Sequence, residues 1–287
     1  MTQEIVSILV FGDSHTQGIA AQNFEFVGPD MPRPMTAMIK SFFAGAGFIA
    51  MDSVVTYPDG RSGLSPMFEL GLRHWSGLDW RGNPTTEGAL VHKHLVLSLG
   101  TSLSDYDPAL DYEDRSGGMR YIFPHDIDFV LDARPDLPVN PSNTLIPVAL
   151  IREMYIAILA PFRQGLSALA EEYAGRIWIL GSPPPAESND AKLRKFNSIF
   201  PDISEPVRLS SPTVLLKVWL LVNQCVRDIC AETGVQFIDC SPIAGDARGF
   251  FRSEFINDGV HGNVRYGKAI AQHLATTIGK AELKRQR

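Results

Sequence analysis

Short apolar, β-branched runs alternate along this chain with longer segments of helical periodicity, and that alternation limits the fold more than any other feature. Residues 5–11, 48–56, 95–99, 177–180 and 235–239 are each bounded by Gly, Pro, Asp or Ser and read as buried strands. Between them, 35–43 (closed by Gly45 and Gly47), 66–75, 146–173 (ending at Gly175) and 212–233 (ending at Gly234) read as helices, with a last helix from 263 towards 283. Pro161 falls inside the third of these and is predicted to kink it or split it in two. Strands joined through helices run parallel, so the expectation is an α/β protein: a mostly parallel sheet, covered on both faces, with ligands at the carboxyl ends of its strands.

Composition narrows the function classes. The 287 residues are 45% hydrophobic and 20% charged, which suits an ordinary globular chain of one decorated domain or two domains. A net charge of −6 argues against a nucleic-acid or anionic-membrane partner, since both need clustered Lys and Arg. The basic tail of Lys280, Lys284, Arg285 and Arg287 reads as cations placed at a helix C-terminus. No apolar run nears the roughly 20 residues that span a bilayer, and the first residues lead directly into a strand, so a cytoplasmic location is expected. Cys225, Cys230 and Cys240 are odd in number and form no CxxC pair, which suits buried thiols in a reducing compartment.

Two stretches break the alternation. Residues 103–143 and 183–211 are rich in Pro, Asp and Ser and each follows a predicted strand, so they are expected to wall a substrate pocket. The first carries Tyr106, Tyr112, Tyr121 and Phe123 and has more acidic than basic residues, which reads equally as a wall that disfavours anionic substrates or as a solvated acidic loop.

Two segments could carry chemistry. Phe11-Gly12-Asp13-Ser14-His15-Thr16-Gln17-Gly18 directly follows the first strand, where a turn lifts the Ser14 hydroxyl to the sheet edge and sets its N–H near a helix start. A serine there could equally be an N-cap. Asp258-Gly259-Val260-His261 precedes the last helix. A serine nucleophile needs a base and a group that orients the base, which His261 and Asp258 could supply across one turn; alternatively the histidine caps the helix.

Together these segments resemble the first and last blocks of the SGNH hydrolases, also called the GDSL esterase and lipase family. Residues 60–65, with Gly63, resemble the second block, and residues 97–102 resemble the third. The resemblance runs from residue 5 to 278 in the family's order. It implies a single domain over 1–287: a three-layer α/β/α sandwich on a flavodoxin-like five-stranded parallel sheet, with 103–143 and 183–211 as insertions or lids near the active site. Ser14 would then attack an acyl carbonyl, His261 would take its proton and Asp258 would orient the imidazole. Donors from Ser14, Gly63 and Ser102 would hold the oxyanion. One departure stands out, because Ser102 occupies the place of the family's oxyanion Asn. Thr101, Ser104, Asn143 and Asn189 are the candidate substitutes.

The resemblance implies a small acyl ester as substrate, acetyl above all, with carbohydrate-linked esters in its range, and no metal or organic cofactor. An acyltransferase with the same nucleophile is one alternative; a non-catalytic ligand-binding protein on the same scaffold, motivated by Ser102, is another. Nothing in the sequence speaks to oligomeric state.

Competing motifs weaken on inspection. Gly262 to Lys268 imitates a P-loop, but Ala269 stands where a magnesium-binding hydroxyl is required. Gly45-x-Gly47-x-x-Ala50 follows a predicted helix instead of a strand, the wrong order for a dinucleotide fingerprint. The absence of a Gly-x-Ser-x-Gly elbow argues against an α/β-hydrolase. His92, His94 and His125 read as surface histidines in preference to metal ligands.

Overall fold

A computed structural model describes residues 4–12, 24–26, 35–43, 94–98, 123, 125–172, 175–191, 193–194, 209–257, 259 and 261–285. Its main sheet holds β1 (Glu4–Gly12), β2 (Phe24–Phe26), β3 (Met35–Phe43), β4 (His94–Ser98), β7 (Ile177–Leu180) and β8 (Gln236–Ile238). The order across the sheet is β2-β3-β1-β4-β7-β8. All neighbours are parallel except β2, which runs antiparallel to β3 at the edge. Without that edge strand the order is the flavodoxin-like one, and strand order reverses between β1 and β4.

Side chains alternate along β1, β4 and β7, so each of these strands feeds two cores. Leu9, Leu95, Leu97, Ile177 and Ile179 face one side, where they meet α1 (Val148–Ile158), α2 (Ala160–Glu172) and α3 (Pro212–Thr233). Val6, Ile8, Val10, Val96, Trp178, Leu180 and Ile238 face the other. There they meet Ala244 of the short α4 (Ser241–Ala244) and α5 (Val264–Arg285), whose Tyr266, Ile270, Leu274 and Ile278 recur every fourth residue along one stripe. Helices on both faces make three layers, as expected.

Local chemistry explains the element ends. The Ser211 hydroxyl accepts the Val214 N–H and Pro212 opens α3, while Gly234 ends it in the left-handed region at φ 76°. The long helix expected over 146–173 is split into α1 and α2 at Leu159, two residues before Pro161. Proline in the first turn of α2 has no intrahelical hydrogen bond to lose.

One element corrects the sequence reading. Residues 35–43, expected to be helical, form β3 and pair with β1 residue by residue from Glu4 with Met35 to Gly12 with Phe43. Nine residues with apolar positions 35, 38, 39, 42 and 43 satisfy a helical stripe. The ladder of β1 and the strand preference of Thr36, Ile39, Phe42 and Phe43 decide otherwise. The strand expected at 48–56 and the helix expected at 66–75 lie outside the described residues.

Residues 125–143 of the first insertion form β5 (Ile127–Asp128), which pairs in parallel with β6 (Thr144–Leu145). Phe129 and Leu131 join the core of α1 and α3. Asp128 and Lys217 of α3 are buried together, with the ammonium 2.8 Å from the carboxylate. The ammonium also donates to the carbonyls of Phe129 and Pro138, and the carboxylate accepts the N–H groups of Phe129 and Asn140. A buried charge is tolerated only when it is paired and fully hydrogen-bonded, so this node pins the insertion to α3.

Lys217→Met leaves Asp128 uncompensated and is expected to lower unfolding free energy by about 3–5 kcal/mol in chemical denaturation, with partial recovery when Asp128 is replaced by Leu as well. Open space surrounds Gly234, so Gly234→Ala is expected to cost about 1–2 kcal/mol from backbone conformation alone, and Gly234→Asn less.

Candidate active site

Strands β1, β4, β7 and β8 end at Gly12, Ser98, Leu180 and Ile238, all on one edge of the sheet. Cys240, just past β8, donates its thiol to the carbonyls of Gly181 and Ser182 past β7, and the Tyr266 hydroxyl hydrogen-bonds to its sulfur. The start of α5 is thereby tied to the carboxyl edge. Its far end sits at the amino edge, where the Glu282 carboxylate lies 3.1 Å from Nε2 of His94, the first residue of β4. A 22-residue helix spans about 33 Å, enough to cross the sheet from edge to edge.

His261 therefore stands at the carboxyl edge, half-buried, three residues ahead of α5. The turn that carries it is held at several points. The Asn257 N–H donates to the His261 carbonyl at 2.8 Å, and Ile256 bridges Gly262 in antiparallel fashion. Asn263 accepts the N–H groups of Arg265 and Tyr266 as an N-cap, and its amide donates to the Glu254 carbonyl. Gly259 has φ 86°, a conformation that side chains resist. Gly262 is needed for closeness: a Cβ there would lie 2.1 Å from the Tyr266 ring. That ring packs against Phe251 and Phe255.

Of the expected site residues, His261 is described, whereas Ser14, Gly63, Ser102 and Asp258 lie outside the described residues, as do Thr101 and Ser104. The flanks are informative. Ser14 follows the last residue of β1 by two positions, and Ser102 follows the last residue of β4 by four. These are the two strands between which the order reverses.

The two asparagines weighed as substitute oxyanion donors are occupied elsewhere. Asn143 donates its amide to the carbonyls of His125 and Ile127, and Asn189 donates to that of Ser210 at 2.7 Å. Both hold insertion backbone in place.

The insertions converge on the histidine turn. Ser210, wholly buried, donates its hydroxyl to the Phe123 carbonyl and accepts Asn189 on its own carbonyl. Leu193 N–H caps back onto the Asn189 carbonyl, and Ala191 between them lies against Gly259. On the outer side, Arg134 donates to the Arg248 carbonyl and Arg248 grips Glu187, while Phe251 N–H donates to the Pro185 carbonyl. The Arg134 and Arg248 guanidinium groups hold the Asp136 and Glu187 carboxyls below the usual carboxylate range. Nothing in the sequence singles out Ser210 or Ala191, because their partners Phe123 and Gly259 are remote in the chain. The one readable signal is Tyr266 four residues after Gly262, the spacing of one helical turn.

Other candidates resolve into structural roles. All three cysteines are buried with free thiols, and burial pushes Cys225 and Cys240 up and Cys230 up to about 12, so none is poised as a thiolate nucleophile. His94 corrects the sequence reading of a surface histidine: it is completely buried. Its Nδ1 accepts the Trp178 indole N–H, because β4 begins at this residue and turns the imidazole under α5. Arg285 of the basic tail pairs with Glu282. Among the described residues, no cluster of three or more His, Cys, Asp or Glu could hold a metal, and no helix is long and apolar enough to cross a membrane.

No protein-family model matches the chain, and no curated protein does. Among solved structures, the chain is similar to a GDSL-like lipase from Bacteroides thetaiotaomicron at 11% identity and TM-score 0.46, over 98% of this chain and 93% of that one. It is similar to an acetylxylan esterase from Geobacillus stearothermophilus at 12% identity and TM-score 0.44, over 96% and 94%. It is also similar to a carbohydrate acetylesterase from Sinorhizobium meliloti at 12% identity and TM-score 0.42, over 96% and 99%.

Proposed function

We propose that this chain is a serine ester hydrolase of the SGNH type, acting on a small acyl ester, acetyl above all, of a neutral, carbohydrate-like alcohol. The observation that carries the reading is topological. The strands that lead into the Ser14 and Ser102 segments, β1 and β4, flank the point where strand order reverses, and His261 stands on the same edge. Open α/β sheets bind ligands at that point, in the crevice beyond the carboxyl ends of the strands. The sequence motifs supply the chemistry for the place.

In this reading the imidazole of His261 takes the Ser14 hydroxyl proton as the oxygen attacks the acyl carbonyl. Asp258 holds the imidazole in the tautomer that accepts at one nitrogen. The negative charge that develops on the carbonyl oxygen is met by the N–H groups of Ser14 and Gly63 and by the Ser102 hydroxyl. His261 then returns its proton to the leaving alcohol, and water, activated by the same imidazole, releases the acid and restores Ser14. The Ser102 hydroxyl is shorter than the amide it replaces. With Asn143 and Asn189 occupied, the hole rests mainly on its backbone donors.

A fluorophosphonate probe read by intact mass is expected to add one adduct to the wild type and none to Ser14→Ala; a wild type without adduct, or an equally labelled Ser14→Ala, sinks the reading. Ser102→Asn is expected to raise kcat on a small acetyl ester by about tenfold or more, since one such donor is worth about 10²–10³ when lost. An unchanged or lower rate would show that another group already fills the hole.

A further inference from the structure

The contact between the second insertion and the histidine turn carries a consequence for the site proposed above, on which this inference rests. A Cβ on Gly259 would lie 2.2 Å from the Ala191 Cβ and 3.4 Å from its Cα, so the turn is seated directly on that methyl group. Two features keep the seat from yielding. Gly259 is held at φ 86°, in a turn closed by the Asn257 to His261 hydrogen bond and followed at once by Gly262 beneath the Tyr266 ring. Ala191 is held by the 2.8 Å bond from Leu193 N–H to the Asn189 carbonyl, and Asn189 is anchored on buried Ser210, which in turn holds Phe123.

We propose that Ala191 is a positioning residue for His261: the size of the side chain at 191 sets where the 257–262 turn, and so the imidazole, stands relative to the nucleophile. A larger side chain at 191 presses on Gly259, which has no side chain of its own to move aside, and the turn cannot retreat past Gly262, which sits against the Tyr266 ring that packs on Phe251 and Phe255. The turn must move as a unit, and displacement of a catalytic group by about 1 Å can cost about 10²-fold in rate. The role assigned to Ala191 is exerted through the turn and not on the substrate, so substrate affinity is left largely as it was.

The test compares wild type with Ala191→Leu and Ala191→Ser on p-nitrophenyl acetate, together with the rate of fluorophosphonate labelling and the thermal unfolding midpoint of each. Ala191→Leu is expected to lower kcat and the labelling rate in parallel by about tenfold or more while KM stays within about twofold. Ala191→Ser, one atom larger than alanine, is expected to fall between the two, and it decides the matter if the leucine variant does not fold. A leucine variant that turns over like wild type overturns the inference, as does a loss confined to KM, which would make 191 part of the substrate wall. In both cases a labelled wild type leaves the serine esterase reading standing. A wild type that takes no label overturns that reading itself.

Discussion

A parallel sheet must be covered on both faces, because each of its strands returns through a crossover that packs on one side or the other. In this protein that requirement organises everything else. Leu9 points to one core and Val10 to the other; the same division runs through Leu95 and Val96 and through Ile177 and Trp178. Once strands share a direction, their carboxyl ends share an edge. The chain then needs no further instruction to bring segments from its beginning, its middle and its end into one neighbourhood.

The edge still has to be built from backbone that is not in regular structure, and here polar chemistry does the holding. Lys217 stands alone among Leu215, Leu216, Val218 and Trp219 on α3, and its ammonium gathers Asp128 and two carbonyls of the first insertion. Removing water from that charge would be costly without those partners, so the insertion is committed to one arrangement. Cys240, Tyr266 and the Gly262 contact perform the same service for the histidine turn, through a thiol, a phenol and a missing Cβ. The extra loops are consequently part of the packed body of the protein wherever they are described.

Much of this was legible beforehand, for reasons that differ by element. Helix α3 could be bounded to the residue because Ser211, Pro212 and Gly234 are local signals for one start and one end. Strands β1, β4 and β7 announced themselves as continuous apolar runs, the pattern of a strand buried on both faces. Segment 35–43 was misread because nine residues cannot separate a helical stripe from a strand when the deciding term is a neighbour's ladder. His94 was misread for a related reason: a lone polar residue beside a strand is usually exposed, and its burial depends on Trp178 and Glu282, 84 and 188 positions away.

The sequence by itself determined the class of fold, the reach of most elements and the residue types available at the sheet edge, since periodicity, caps and motif chemistry act within a few residues of one another. Only the tertiary structure decided that β3 is a strand, that Asn143 and Asn189 hold backbone, and that Ala191 supports the turn of His261. Those outcomes hang on pairings between distant parts of the chain, and a pairing has no local signature until both partners are in place.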